Sequence, residues 1–187
     1  MAHASGKRDL IKRQAQRLFA ARGVDAVSVR DIAAACEMAP PNLYAHFGSK
    51  DDLVAELFRE GYTEYGRLMR EAVVAAGPFR ARLERVVALI CRLHDEDPER
   101  FRFLIMVQHG HLAHVARDDS NPVEVIARAL DAAMASGEIP ARDPDLAAAI
   151  IVGAVVQPAT FMLYGRLSGG LIPLAPELAA ICWRALS

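Results

Sequence analysis

Between residues 28 and 53 the chain starts a helix three times, which neither one continuous helix nor a strand can accommodate. Ser28 followed by Asp31 is a capping-box pair: the hydroxyl takes an unpaired backbone N–H and the carboxylate sits at the positive end of the helix. Val29, Ile32, Ala33 and Cys36 give that helix an inner face, but at about two turns it depends on packing. Pro40 and Pro41 restart the chain in a first turn, where a missing N–H costs nothing. Leu43 and Phe47 then face inward, leaving Asn42, Tyr44, Ala45 and His46 outward. Ser49 with Asp52 repeats the start signal. The spacing predicts two short helices joined by a tight turn, then a longer helix running to about Ala76, where Gly77-Pro78 stops it.

Apolar spacing is helical almost everywhere else. Ile11, Ala15, Leu18 and Phe19 line one face of a first helix, and Gly23 supplies a left-handed stop. Phe79, Leu83, Val86, Val87, Ile90 and His94 form a stripe. Asp97-Pro98-Glu99, Asn121-Pro122, Asp143-Pro144 and Pro176-Glu177 each open a further helix, and the one from Asp97 is expected to run to about Val115. The reading is an all-α chain of about nine helices: a three-helix N-terminal unit at residues 1–53 and a larger helical bundle at 54–187.

At 187 residues and 53% hydrophobic the chain can bury a core and is not disordered. Its net charge of −1 is unevenly spread: residues 1–50 hold eight Lys/Arg against four acids, so the first 50 residues carry +4 and the rest −5. A basic end on an acidic body marks where a polyanion can dock. Cys36, Cys91 and Cys182 are widely separated, no metal-type Cys/His spacing exists, and the start lacks the apolar stretch of a signal peptide, so reduced thiols in a cytoplasm are expected. Residues 146–165 carry no charge over twenty positions and could span a bilayer by length. Five Ala, two Gly, Gln157 and Pro158 dilute that stretch, so a buried bundle helix is expected, with no membrane partner. Pro158 deletes one backbone hydrogen bond, to Ala154, and predicts a kink.

A helix-turn-helix lays its second helix in the major groove with the first crossing behind, and residues 28–53 fit that geometry. The run Val29-Arg30-Asp31-Ile32-Ala33, with Leu43-Tyr44-Ala45-His46-Phe47 and Ser49-Lys50-Asp51-Asp52-Leu53, closely resembles the N-terminal domain of the TetR family of bacterial transcriptional regulators. The likeness covers about Arg8 to Phe58. It implies a homodimer, a palindromic double-stranded operator, repression relieved by a small-molecule inducer bound in the C-terminal bundle, and no cofactor. Carried over by position, Arg30, Tyr44, His46 and Lys50 are expected to contact or position phosphates, Ser28, which caps the helix that carries Arg30, is counted with them among the DNA-binding residues, and Pro40, Pro41 and Asn42 face the bases. Asn can pair bidentately with adenine. Tyr44 and His46 could instead pack or cap, and Lys50 and Arg30 could be ordinary surface cations. Two departures stand out. Glu37 occupies the usual turn glycine, predicting a left-handed residue, and Ala39 occupies the usual Ser/Thr cap.

In the bundle, Tyr62, Tyr65 and Met69 follow Phe58 at helical spacing and read either as core or as the wall of an apolar cavity. Phe103, Met106, Val107, Phe161, Met162 and Tyr164 could complete that wall, with His109 as a polar group; an apolar or aromatic inducer is the expected ligand. Small Ala149 and Gly153, with Leu178, Ile181, Cys182, Trp183 and Leu186 of the last helix, suggest either a subunit interface or intrachain packing. Two other functions were weighed. A metal-dependent enzyme would use His94, His109, His111, His114 and nearby acids, but only His111 and His114 share a helical face and no nucleophile–base spacing exists. A ligand-free architectural DNA binder would need a more basic chain.

Overall fold

The computed structural model describes residues 2–112, 115–118 and 120–187, and among these it is all-helical. The α-helices are α1 (Ala2–Arg22), α2 (Val29–Ala35), α3 (Pro40–Tyr44), α4 (Lys50–Val74), α5 (Phe79–Glu96), α6 (Pro98–His111), α7 (Pro122–Ala135), α8 (Pro144–Leu163) and α9 (Ala175–Leu186), with a 3-10 turn at Ile172–Leu174. The start signals act as expected: Asn121 accepts from the N–H groups of Val123 and Glu124, and Asp143 from those of Asp145 and Leu146. α4 ends at Val74 and α6 at His111, a little short of the sequence expectation. Met1–Gly61 with Glu99–Val115 forms one compact unit, and Tyr62–Pro98 with Ala116–Ser187 a second.

This division differs from a boundary at 53/54, because α6 joins the N-terminal helices. Phe103 stacks on Phe19 with ring centroids 6.0 Å apart, and Arg17 of α1 pairs with Glu99 at 3.3 Å. At Gly61 a Cβ would lie 2.9 Å from Leu104 Cδ2, so any larger residue would have to displace that side chain as α6 packs on α4. Ile11, Ala15, Ile32, Leu43 and Leu53 complete the core of this unit, each fully buried.

In the second unit α5 packs on α8 and α9, and α7 on α8. Val87, Cys91, Leu130, Ile151, Val155, Cys182 and Leu186 form the centre. The thiols of Cys91 and Cys182 are unbridged, and burial pushes each up to about 11, so both remain protonated and inert. Helix ends are closed by distant side chains. Arg85 donates to the carbonyls of Ala75 and Ala76 at 3.0 and 3.1 Å, just past the end of α4. Arg142 closes α9 through the carbonyls of Ala185 and Leu186, and Glu138 accepts the Phe79 N–H where Pro78 offers no side-chain cap.

α8 corrects an expectation. It is 20 residues long, an 18-residue stretch of it has a mean hydropathy of 2.0, and by length and composition alone it could cross a membrane. Only one face packs, through Ala147, Ala148, Ile151, Val155 and Ala159. Leu146, Ala149, Ile150, Gly153, Gln157 and Phe161 form an uncharged exposed stripe on the other. The helix continues through Pro158, and two residues on Thr160 Oγ1 donates to the Val156 carbonyl at 3.0 Å.

Asp95, near the end of α5, fastens the segment before α9. Its carboxylate accepts the N–H groups of Leu171 and Ile172, both at 2.8 Å, and touches His94 Nδ1 at 2.6 Å. Burial opposes the charge, but the two backbone N–H groups and His94 outweigh it and hold the carboxyl below its ordinary range. A lowered pKa stabilises the fold above the unfolded-state value and loses that contribution as pH falls through the folded one. Asp95→Ala is expected to cost about 1–3 kcal/mol in urea unfolding at pH 7, through two stranded N–H groups. The gap to wild type should close as pH drops below about 4.

Candidate nucleic-acid interface

The α2–turn–α3 unit is built almost wholly from local signals. The capping box at Ser28 forms in full: Asp31 N–H donates to Ser28 Oγ at 3.2 Å, and Ser28 N–H to Asp31 Oδ2 at 2.7 Å. Those bonds from Ser28, helped by Arg22, hold the Asp31 carboxyl below its usual range. α2 ends in a Schellman motif, with Met38 N–H on the Ala33 carbonyl and Glu37 N–H on the Ala34 carbonyl, both at 3.0 Å. The left-handed residue of that motif is Glu37, at φ +52°. Ala39 provides no side-chain cap for α3. Both departures read from the sequence are therefore real features of the turn.

α3 is only five residues long. Leu43 is fully buried and Phe47 nearly so. Pro41, Asn42 and Tyr44 are exposed, Tyr44 at 54%, while Pro40 and His46 are half-buried. Arg30 is exposed on the first turn of α2. The outward set expected from the sequence is thus displayed on one short connected segment, with its apolar partners inside.

Lys50 has another occupation. Its Nζ donates to the carbonyls of Val24 at 2.9 Å and Val27 at 3.1 Å, tying the start of α4 to the α1–α2 loop and leaving one ammonium hydrogen unused. Several other cations of this end also point inward. Arg8 contacts the His46 carbonyl and pairs with Glu56 at 2.5 Å. Lys12 lies 2.6 Å from both Glu56 and Glu60. Burial works against both the Lys12 and Glu56 charges, yet their mutual bonds prevail, raising the lysine and lowering the glutamate. Arg22 donates to the Ala26 carbonyl at 2.9 Å. Lys7, Arg13 and Arg30 are exposed and make no hydrogen bond or ion pair among the described residues. Sequence reasoning missed the partners of Arg8, Lys12 and Lys50 because each lies more than twenty residues along the chain.

The residues expected to bind a small molecule are divided. Phe103, Met106, Val107 and His109 belong to the first unit; Tyr62, Tyr65, Met69, Phe161, Met162 and Tyr164 belong to the second. Phe103 serves the core against Phe19. Tyr62, Tyr65 and Met69 are buried, and burial pushes the Tyr62 phenol up to about 12. Phe161 and Tyr164 are exposed, Tyr164 at 72%. A surface groove of about 530 Å³ lies instead between α4 and α5, lined by Leu68, Ala72, Ala88 and Leu89 together with Glu71, Glu84, Arg85 and Arg92. Small Ala81 and Ala88, seven apart on α5, were its only signal in the sequence. Of the histidines weighed as metal ligands, His94 is tied to Asp95 and His111 stacks on Phe58 at 5.3 Å. His109 is exposed on α6, and His114 lies outside the described residues.

Residues 11–57 match the model of the family described as bacterial regulatory proteins, tetR family. The match covers 47 of the 187 residues and takes in α2, the turn and α3. The chain is 40% identical over 83 residues to the HTH-type transcriptional repressor KstR2 of Rhodococcus jostii strain RHA1, a stretch covering 44% of this chain and 41% of that one. The chain therefore spans about two fifths of that relative's length. Among solved structures, the fatty acid degradation regulator FadR of Bacillus halodurans superimposes with TM-score 0.78 at 18% identity, over 94% of each chain. FadR of Bacillus subtilis, solved in complex with stearoyl-CoA, superimposes with TM-score 0.75 at 21% identity, over 92% of this chain and 96% of that one. At those identities the likeness is one of fold alone, and it extends over nearly the whole chain.

In this TetR-type turn Glu37 carries the strain that a glycine would avoid. A left-handed non-glycine residue costs about 1–2 kcal/mol, part of which glycine gives back as unfolded-chain entropy. Glu37→Gly is expected to raise stability by about 0.5–1 kcal/mol in thermal melts, and Glu37→Ala to give no such gain.

Proposed function

We propose that this protein is a homodimeric transcriptional repressor that binds a palindromic duplex through α3 and is released by a small apolar ligand. The observation that carries the reading is the display of Pro41, Asn42 and Tyr44 on α3, with Leu43 buried beneath, inside the segment that matches the TetR family. Asn42 and the prolines would read base edges, and Arg30, Tyr44, His46 and the remaining Lys50 hydrogen would meet phosphates. Two copies of α3 must sit about 34–36 Å apart, or a near multiple, to enter successive major grooves. The uncharged stripe on α8, with Ile181 of α9 also exposed, supports the second copy: an apolar face of this length is costly to leave in water. A DNA-binding role places the protein in the cytoplasm.

For the ligand, the groove between α4 and α5 offers Leu68, Ala72, Ala88 and Leu89 to a hydrocarbon chain, and Arg85 and Arg92, set beside Glu71 and Glu84, to an anionic head. The stearoyl-CoA bound by the Bacillus subtilis regulator supports a long-chain acyl compound as the first class to try. Such a ligand would act by favouring a different position of α4, whose residues 50–61 belong to the DNA-binding unit and 62–74 to the other. Operator affinity would then fall by the ligand's differential binding energy.

Selection of bound duplexes from a random pool tests the reading directly, and a palindrome is the expected result. Asn42→Ala should relax preference at one base pair per half-site, and Arg30→Ala should lower the salt slope of binding by about 1 per subunit with preference intact. Placing a charge in the α8 stripe, as in Gly153→Glu, should give a folded monomer by sedimentation that has lost tight binding. Stearoyl-CoA should weaken the wild-type complex. Failure to enrich any sequence at low salt would overturn the assignment.

A further inference from the structure

We propose that Arg8, on α1, is a positioning residue that fixes the angle at which α3 meets the duplex, and is not itself a phosphate ligand. The proposal rests on the DNA-binding reading above. α3 has five residues, one turn of hydrogen bonding and no side-chain cap at Ala39, so nothing within it sets its orientation. Leu43 and Phe47 hold its inner side by apolar contact, which is non-directional and leaves a tilt undetermined. Arg8 supplies the direction.

One guanidinium nitrogen, Nη1, donates to the His46 carbonyl just past the end of α3. The other, Nη2, reaches Glu56 Oε2 on α4 at 2.5 Å. The flat face of the group covers the Phe47 ring at 4.1 Å from its centroid. Glu56 is in turn held by Lys12, and Lys12 by Glu60, so the clamp is fixed from α1 and α4 together. A planar fork that stacks and donates along two directions is particular to arginine; a lysine ammonium cannot reproduce it. Arg8 and Lys12 are balanced by Glu56 and Glu60, so this cluster has little charge left to offer a phosphate. The sequence reading counted Arg8 only towards the basic end of the chain.

The test uses full-length wild type, Arg8→Lys, Arg8→Ala and Glu56→Gln, with Arg30→Ala as the phosphate-contact control. Binding of the duplex selected by wild type, and of a scrambled duplex, is followed by fluorescence anisotropy across a salt series, with thermal melts to establish folding. Arg8→Lys keeps the charge but loses the fork. It is expected to weaken the selected duplex roughly ten- to hundredfold, on the scale of one lost base contact, while scrambled-duplex affinity and the salt slope stay at wild-type values. Glu56→Gln, which leaves Arg8 in place but loosens it, should show the same loss of discrimination to a smaller degree, and carries the test if Arg8→Ala fails to fold. Two results overturn the proposal: Arg8→Lys matching wild type while Arg8→Ala weakens both duplexes and lowers the salt slope by about 1, which makes Arg8 a phosphate ligand, or full discrimination retained in every Arg8 and Glu56 variant. If wild type itself binds no duplex, the DNA-binding reading fails, and this role with it.

Discussion

A five-residue helix cannot persist by its own hydrogen bonds, and α3 is the element on which the DNA-binding reading turns. Its existence is a tertiary fact. Leu43 and Phe47 are driven into the core formed by α1, α2 and the start of α4, and Arg8 closes its carboxyl end. The prolines at its start and the Schellman turn before it reduce the entropy of placing it, but they do not hold it. The same logic explains why so much of the N-terminal unit is devoted to a small surface. α1, α6 and the first half of α4 expose little that could recognise a base; they supply the rigid wall against which three or four side chains are displayed.

Electrostatics in this unit divide into an internal and an external share. Lys12, Glu56 and Glu60 form a partly shielded chain whose charges answer one another, and Lys50 spends two donors on the α1–α2 loop. What is left outside is carried by Lys7, Arg13 and Arg30. A count of cations in the sequence therefore overstates the field a duplex would meet, because a cation bonded to a neighbouring carboxylate adds little at a distance. On the DNA-binding reading proposed above, short-range contacts such as those of Asn42 with a base and Tyr44 with a phosphate would then carry more of the affinity than bulk attraction.

The second unit shows the opposite economy. Helix ends and connections are fastened by Arg85, Glu138, Arg142 and Asp95, the last three reaching across more than forty residues to pair with backbone groups. This leaves the outer face of α8 as the conspicuous unmatched surface, uncharged from Leu146 to Leu163 with Leu146 59% exposed. An apolar helix half covered in one chain is what a subunit interface leaves behind when one partner is considered alone.

Helix starts, stops and inner faces were legible in the sequence because they depend on neighbours within four residues. The Ser28–Asp31 box, the Ser49–Asp52 pair and the buried Leu43 and Phe47 all follow from spacing and the chemistry of unpaired N–H groups, whereas the left-handed Glu37 was indicated only by the family resemblance. The grouping of α6 with the N-terminal helices was not legible, since it hangs on Phe19 meeting Phe103 and Gly61 making room for Leu104, both pairings between residues more than forty apart. Nor were the partners of Arg8, Lys12, Lys50 and Asp95, nor the groove between α4 and α5. Local hydrogen bonding and periodicity determine which segments are helices and which side they bury; only packing decides which buried sides meet, and with that which charges remain for a partner.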